Sequence, residues 1–217
     1  MRSSTIIAID GPAASGKSTV ARTLARRLRL AYVNSGAMYR AVTWWMLRHG
    51  ADPQDPDAVL ALAPRMPMEC GLENGVSAIR MGDEDPGPAL CDEAVNRNVS
   101  AIARLPEIRR MLVEKQRQYA DRCDLVMEGR DIGSVVFPDT PYKFYIDASP
   151  EVRARRRALQ GQRDTITARD RADTSRRTSP LTIAEDAYVI DSSNLTIDGV
   201  VGEIIGRLKL KGLEVPE

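Results

Sequence analysis

The sequence predicts an α/β fold in which a parallel β-sheet is flanked by helices. Apolar runs rich in β-branched residues alternate with helical patterns, and this alternation favours a parallel sheet covered on both faces. The first apolar run is followed by a glycine-rich loop and then by a helical pattern, the order of a strand–loop–helix unit. A length of 217 residues with 43% hydrophobic residues suits one such domain with an insert.

Local patterns predict the individual elements in chain order. Short apolar runs predict strands at residues 5–9, 124–127, 142–147 and 187–191. Apolar residues at helical spacing predict helices at residues 19–28, 35–50, 108–120 and 196–210, with a further helix starting near residue 150. Asn34 and Ser35 can cap the second helix, and Ser149 followed by Pro150 marks the start of the helix near residue 150.

Residues 58–100 differ in character from the rest and predict a small inserted lobe. Two strand-like runs, at residues 68–72 and 76–80, flank an Asn-Gly turn signal at residues 73–75, which predicts a hairpin. The preceding residues 51–57 are rich in proline and aspartate and predict a loop.

Composition and charge exclude several classes of protein. The formal net charge of +1 argues against a general nucleic-acid coat, which needs a basic excess. Cys70, Cys91 and Cys123 are widely spaced and the chain has one histidine, so we expect reduced thiols rather than a disulfide or zinc framework. No apolar run approaches 18 residues, and the N-terminus leads straight into the first strand. We therefore expect no membrane span, no signal peptide and a cytoplasmic location.

The loop at residues 11–18 is a complete G-x-x-x-x-G-K-[ST] motif between a strand and a helix. In such a loop the backbone N–H groups surround a polyphosphate, Lys17 reaches its β and γ oxygens, and the Ser18 hydroxyl contacts Mg²⁺. An ordinary glycine turn is the alternative, but a lysine beside two hydroxyls has no turn-forming purpose. The residues predicted to bind a nucleoside triphosphate are Gly11, Pro12, Ala13, Ala14, Ser15, Gly16, Lys17, Ser18 and Thr19.

Two short segments carry further polar chemistry. Tyr39 and Arg40 lie one turn into the second helix after a glycine, although Arg40 could also be an ordinary surface residue. Residues 128–131, Glu-Gly-Arg-Asp, follow a buried strand, and open α/β sheets bind ligands at the carboxyl ends of their strands. A capped strand-to-loop turn is the alternative for that segment.

Arginine is concentrated in residues 153–177, which contain nine arginines. Planar guanidinium groups favour bidentate contact with phosphate. A solvated helix face and a nucleic-acid patch are the alternatives. The arginines are Arg153, Arg155, Arg156, Arg157, Arg163, Arg169, Arg171, Arg176 and Arg177. Ser100 and Arg109 would be unremarkable by themselves.

Together these groups resemble the bacterial cytidylate kinases, nucleoside monophosphate kinases that phosphorylate CMP and dCMP. The motifs at residues 10–19, 35–40, 128–138 and 169–176 occur in the order found in that family. The resemblance covers nearly the whole chain and implies a P-loop nucleoside monophosphate kinase fold with a five-stranded parallel sheet. The implied core comprises residues 1–34, 101–150 and 181–217, with a nucleotide-binding lobe at 35–100 and an arginine-rich lid at 151–180.

The resemblance also implies an activity and a set of site residues. The γ-phosphoryl group of ATP, bound with Mg²⁺, would be transferred to CMP or dCMP. Lys17, Arg40, Arg130 and Arg169 would act on the transferred group, and Arg157 would join the donor site. The implied acceptor site contains Ser35, Tyr39, Arg40, Ser100, Arg109, Glu128, Arg130, Asp131, Arg169, Asp173 and Arg176.

Each part of the acceptor would have its own contacts. Arg40, Arg130 and Arg169 would hold the CMP phosphate, while Ser100, Arg169 and Asp173 would contact the sugar. Arg109, Asp131 and Arg176, helped by Ser35, would contact the cytosine edge. That assignment agrees with the base, because the N4 amino group of cytosine donates to a carboxylate while N3 and O2 accept from arginine.

The sequence departs from the family at three places. Ser18 stands where many relatives have glycine, Glu128 stands where many have aspartate, and residues 159–167 are shorter than in long-lid relatives. The partners implied are small nucleotides, with no nucleic acid and no membrane, for a monomeric enzyme.

Four other functions remain to be compared with this one. A kinase for UMP, AMP or a carbocyclic acid would share the loop. A switch GTPase is disfavoured because no N-K-x-D motif is present. A motor ATPase is disfavoured because no apolar strand ends in the usual Walker B aspartate, and Asp124 precedes its strand instead. An arginine-rich RNA-binding module is disfavoured by the near-neutral charge.

Overall fold

The computed structural model describes residues 4–159 and 181–216. The strands are β1 (Ile6–Asp10), β2 (Ala31–Asn34), β3 (Met68–Glu73), β4 (Val76–Met81), β5 (Leu125–Gly129), β6 (Tyr142–Asp147) and β7 (Tyr188–Asp191). The helices are α1 (Lys17–Leu28), α2 (Ser35–Arg48), α3 (Pro56–Leu62), α4 (Glu93–Ile102), α5 (Pro106–Arg117), α6 (Pro150–Leu159) and α7 (Ile197–Leu210). A π-helical turn spans Ile132–Val136.

The strands form one seven-stranded sheet in the order β3-β4-β2-β5-β1-β6-β7. The five strands from β2 to β7 in that order are parallel, as predicted. The hairpin β3–β4 is antiparallel and joins β2 through one parallel pair, Tyr32 with Val76. Strand patterns alone did not predict β2, because its four residues lead directly into a helix without an intervening turn.

The insert contains more helix than the sequence pattern predicted. The loop predicted at residues 51–57 ends early, because α3 begins at Pro56. Asp55 caps this helix, its Oδ1 accepting from the backbone N–H groups of Asp57 at 3.0 Å and Ala58 at 3.3 Å. Proline at the first helical position and an aspartate cap are start signals for a helix, so the same residue types gave the wrong prediction for the end of the loop.

The hairpin in the insert is confirmed, and its turn has a clear steric cause. Asn74 and Gly75 have positive φ angles of 51° and 75°. Two consecutive positive φ angles are what a tight two-residue hairpin requires, and asparagine followed by glycine adopts them at least cost.

Alternate strand residues pack into layers on opposite faces of the sheet. Ile7 and Ile9 pack with Leu24 of α1 and Ile204 of α7. Ala8, between them, lies in a second cluster on the other face. Each fully buried aliphatic side chain contributes about 1.5–3 kcal/mol, so covering both faces explains why β1 is apolar throughout. Among the described residues, no helix is both long and apolar enough to cross a membrane.

A third group of apolar side chains, here called the hairpin-side cluster, lies between the hairpin and the helices of the insert. It includes Met38, Val42 and Trp45 of α2, Met68 of β3, Ile79 and Met81 of β4, Ile102 of α4 and Leu112 of α5. The apolar packing of the insert therefore continues into α2 and α5.

Candidate active site

The glycine-rich loop connects the end of β1 to the start of α1. Gly11 must be glycine, because a Cβ at this position would lie 2.1 Å from the carbonyl oxygen of Ile146 in β6. Gly16 precedes the helix with a φ of 91°, a left-handed conformation that favours glycine. The loop is therefore held close to the sheet, with the N-terminal end of α1 facing the site.

Lys17 is the first residue of α1 and its side chain is buried. Its Nζ donates to the carbonyl oxygen of Pro12 at 3.0 Å, so the lysine folds back across its own loop. Ser18 and Thr19 are exposed and line the same cavity as Lys17. This arrangement keeps the ammonium and two hydroxyls beside the helix N-terminus.

Hydrogen bonds fasten the start of α2 to the end of β5. Asn34 caps α2, with its Oδ1 accepting from the backbone N–H of Ala37 at 3.1 Å. The Ser35 Oγ donates to the carbonyl oxygen of Glu128 at 2.7 Å. A Cβ on Gly129 would lie 2.6 Å from that same Oγ, so glycine is required for the close approach of the two segments.

Glu128 is buried and bonded to Tyr32 of β2, whose hydroxyl donates to Oε1 at 2.9 Å. Burial and the nearby Glu128 charge both raise the pKa of Tyr32, which keeps the phenol protonated as a donor. The Arg22 guanidinium lies 5.1 Å from the centre of the Tyr32 ring. One oxygen of the Glu128 carboxylate is thus bonded to Tyr32, although Glu128 also lines the cavity.

Arg109 and Asp131 form a buried ion pair, with side chains 3% and 8% exposed. The Arg109 guanidinium also lies 5.6 Å from the centre of the Tyr39 ring. The Nε of Arg109 is buried and has no hydrogen-bond partner among the described residues. The structure therefore joins two residues assigned to base contact in one buried pair.

Arg40 extends to the insert, where it donates to Asn96 Oδ1 at 2.6 Å and to the carbonyl oxygen of Leu90 at 3.0 Å. The Asn96 amide nitrogen in turn donates to the carbonyl oxygen of Cys91 at 2.7 Å. Arg130, half-buried at the end of β5, contacts the carbonyl oxygen of Gly129 at 3.4 Å. The two arginines reach the site from different elements.

Residues of the phosphate loop and residues at the start of α2 and the end of β5 line one cavity of about 710 Å³. Most of the residues predicted from the sequence to bind the two nucleotides line this cavity. They are Ala13, Ala14, Gly16, Lys17, Ser18, Thr19, Ser35, Tyr39, Arg40, Ser100, Arg109, Glu128, Arg130, Asp131 and Arg157. Gly11, Pro12 and Ser15 shape the loop without lining the cavity. Arg163, Arg169, Asp173 and Arg176 lie outside the described residues.

Asp10, which directly precedes the phosphate loop, was not among the predicted site residues. Its carboxylate is buried and accepts from the backbone N–H groups of Ile132 and Gly133, each at 2.8 Å. Burial raises the pKa of Asp10 to about 7, against the lowering effect of the two hydrogen bonds. The carboxylate thereby connects the start of the phosphate loop to the segment that follows Asp131.

The argument against a motor ATPase concerned the usual Walker B aspartate at the end of an apolar strand. Three strands end in aspartate, β1 in Asp10, β6 in Asp147 and β7 in Asp191, so an aspartate at a strand end does not by itself mark that position. The strand beside β1 is β5, and it ends in Glu128 and Gly129 instead. The argument against a motor ATPase therefore depends on β5 alone.

Comparison with known proteins identifies the family. The family model described as cytidylate kinase matches residues 7–210. The cytidylate kinase of Streptomyces avermitilis is 39% identical over 215 residues, covering 95% of this chain and 93% of the relative. The cytidylate kinase of Rhodococcus opacus is 41% identical over 215 residues and 94% of each chain. The chain described here therefore belongs to the cytidylate kinase family.

Proposed function

We propose that this chain transfers the γ-phosphoryl group of ATP to CMP or dCMP, giving ADP and CDP or dCDP. The observation that carries the proposal is the single cavity lined both by Lys17 with its phosphate loop and by the buried pair Arg109–Asp131. A kinase must bring a donor phosphate and an acceptor together, and one continuous cavity between two such sets of residues suits that task.

The proposed division of the chain separates a core, a lobe for the acceptor nucleotide and a lid. The core comprises residues 1–34, 101–150 and 181–217, residues 35–100 form the lobe for the acceptor nucleotide, and residues 151–180 form the lid. The hairpin-side cluster supports treating the lobe as a packed unit, which Leu112 of α5 joins to the core.

The donor triphosphate would lie against the loop and the N-terminus of α1. Backbone N–H groups and Lys17 would neutralise the β and γ phosphates. The loop fits a polyphosphate, since Gly11 lets it pack against Ile146 and Gly16 takes the left-handed conformation that precedes α1, so that the helix N-terminus faces the site. Bound Mg²⁺ would add positive charge at those phosphates, and Ser18, whose hydroxyl is exposed at the cavity, is the residue that would hold it.

The acceptor phosphate would be held by Arg40 and Arg130. One of its oxygens attacks the γ phosphorus, the bond from that phosphorus to the bridging oxygen breaks, and ADP leaves with the electron pair. The attacking group is already an anion, so no general base is needed and catalysis consists of alignment and charge neutralisation. Arg157, which is buried and lines the cavity, would add charge on the donor side.

The cytosine ring would be recognised by the pair Arg109–Asp131. Asp131 would accept from the N4 amino group, and the buried Nε of Arg109 is a donor without a partner among the described residues. The Ser35 hydroxyl already donates a hydrogen bond to the backbone carbonyl oxygen of Glu128, so towards cytosine it can act only as an acceptor. Uracil presents a carbonyl where cytosine presents the amino group, so it would face the Asp131 carboxylate unfavourably.

The proposal extends to a monomer that acts in the cytoplasm on small nucleotides. The formal net charge of +1 supports partners that are not nucleic acid. Cys70, Cys91 and Cys123 are free thiols, in keeping with a reducing compartment.

A coupled assay with ATP and CMP, dCMP, UMP or AMP tests the proposal. We expect turnover with CMP and dCMP well above that with the other acceptors. Lys17→Ala should lower kcat/KM by about 10²- to 10³-fold, the effect of removing one electrostatic donor of about 3–4 kcal/mol. Lys209→Ala, an exposed lysine on α7, is the matched control. ADP release at the same rate without an acceptor would favour a switch ATPase and contradict the proposal.

A further inference from the structure

Arg156 of α6 and Ser192, which follows β7, both bond to the carbonyl oxygen of Ser15 in the phosphate loop. Arg156 donates to that oxygen at 3.1 Å, and the Ser192 Oγ donates to it at 2.8 Å. Arg156 also bonds Ser192 itself, through Oγ at 3.1 Å and the carbonyl oxygen at 2.8 Å. Ser15 and Ser192 are buried and Arg156 is half-buried, so the four hydrogen bonds lie at the inner side of the phosphate loop.

The Ser15 carbonyl belongs to the same planar peptide unit as the N–H of Gly16. In a trans peptide the carbonyl and the N–H point in opposite directions. Gly16 lines the cavity, while Ser15 is fully buried and faces α6 and the end of β7. Two donors on the carbonyl therefore fix the direction of an N–H that belongs to the phosphate loop.

A cation bonded to the carbonyl also changes the peptide electronically. Charge-assisted hydrogen bonds are about twice as strong as neutral ones, and a chain of hydrogen bonds polarises its members. The Arg156 guanidinium thus makes the Gly16 N–H a better donor.

We propose that Arg156 and Ser192 are positioning residues for the triphosphate donor, acting through the Ser15–Gly16 peptide. Arg156 belongs to the arginine-rich segment for which the sequence suggests direct phosphate contact. Its donors instead bind protein carbonyls and a serine hydroxyl. The proposal deepens the proposed function, because it concerns the donor half of the same site.

Binding measurements on the separate nucleotides test the proposal. The variants are Arg156→Gln, Arg156→Lys and Ser192→Ala, with Arg26→Gln, an exposed arginine on α1, as the matched control. Titration calorimetry would give the Kd of ADP and, separately, of CMP, and steady-state kinetics would give the two KM values. Thermal unfolding would report on the fold of each variant.

Arg156→Gln should raise the Kd of ADP roughly ten- to hundredfold, the loss expected for charged hydrogen bonds, with the Kd of CMP within about twofold of the parent value. Ser192→Ala should raise the Kd of ADP about three- to tenfold, as for one neutral bond. Arg156→Lys should recover part of the affinity, since an ammonium keeps the charge without the forked geometry. Arg26→Gln should change neither value.

Two results would overturn the proposal. One is a lower melting temperature in Arg156→Gln and Ser192→Ala with an unchanged Kd of ADP. The other is an equal loss of ADP and CMP affinity, which indicates general disruption. Should Arg156→Gln fail to fold, Ser192→Ala and Arg156→Lys still allow the Kd of ADP and the Kd of CMP to be measured. An effect on ADP binding in a chain that does not phosphorylate CMP would refute the proposed function and leave this inference standing.

Discussion

Asp131→Asn separates the structural role of the buried ion pair from its proposed role in base recognition. The substitution keeps the size of the side chain and one carbonyl oxygen but removes the negative charge. Arg109 would then remain buried with a neutral partner, a carbonyl contact to Ala103 at 3.4 Å and the ring of Tyr39. Leaving a buried charge without its counter-charge is destabilising.

The expected magnitudes follow from the burial of both partners. Hydrogen bonds to charged groups contribute about 1.5–3 kcal/mol, and outright removal of one partner from a buried pair costs about 3–5 kcal/mol. We therefore expect Asp131→Asn to lower the free energy of unfolding by about 2–3 kcal/mol, a fall of roughly 4–12 °C in Tm for a chain of this size. Recognition of one base edge is worth about 1–3 kcal/mol, so the ratio of kcat/KM for CMP over UMP should fall by roughly tenfold or more.

Two measurements separate the structural role of Asp131 from its role in base recognition. Thermal unfolding of the nucleotide-free protein gives the stability, and the coupled assay with CMP and UMP gives the selectivity. Asp139→Asn, an exposed aspartate beyond β5, is the control and should alter neither. A lower Tm with unchanged selectivity would leave Asp131 a structural residue only. Unchanged stability would refute the reasoning about the ion pair itself.

Two further predictions concern the end of β1. Gly11→Ala should lower the free energy of unfolding, measured in urea, by about 3 kcal/mol or more, because its Cβ would meet the Ile146 backbone oxygen. Gly202→Ala in α7 is the control, since its Cβ would have open space and the change should be neutral or stabilising. Equal effects of the two substitutions would contradict the steric argument. Asp10 has a pKa raised to about 7, so the folded protein holds a proton that the unfolded chain releases near pH 4. Stability should therefore fall as pH rises between about 4 and 7, by up to ~1.4 kcal/mol per pH unit from this group, and the loss persists above pH 7. Asp10→Asn should flatten that part of the profile of unfolding free energy against pH, and parallel profiles for the two proteins would count against the assignment.

Features governed by neighbouring residues were predictable from the sequence. The turn at Asn74-Gly75 and the phosphate loop before Lys17 need particular residue types at fixed spacing, so a local pattern identifies them. The start of α3 at Pro56 was missed because proline and aspartate occur both in loops and at helix starts.

Features that depend on distant residues could not be predicted in this way. Asp10 meets Ile132 across 122 positions, and Arg156 meets Ser15 across 141. Nothing within a local window distinguishes a buried aspartate that binds two backbone N–H groups from an exposed one. The composition of residues 153–157 likewise could not separate Arg157, which lines the cavity, from Arg156, which bonds the phosphate loop.

The narrow join between the hairpin and the rest of the sheet has a consequence for hydrogen exchange. One register pair, Tyr32 with Val76, and a hydrogen bond from the Asn34 N–H to the Ser77 Oγ at 3.1 Å connect β4 to β2, whereas β2 shares four register pairs with β5. Met68, Ile79 and Met81 of the hairpin pack in the hairpin-side cluster, and the partly buried Cys70 and Leu72 contact the layer that contains Ala8. Detachment of the hairpin would therefore leave the layer of Ile7 and Ile9 covered. Backbone amides of Met68–Met81 should therefore exchange with solvent through a local opening that costs less than global unfolding, while those of β1 and β5 are protected until the whole chain unfolds.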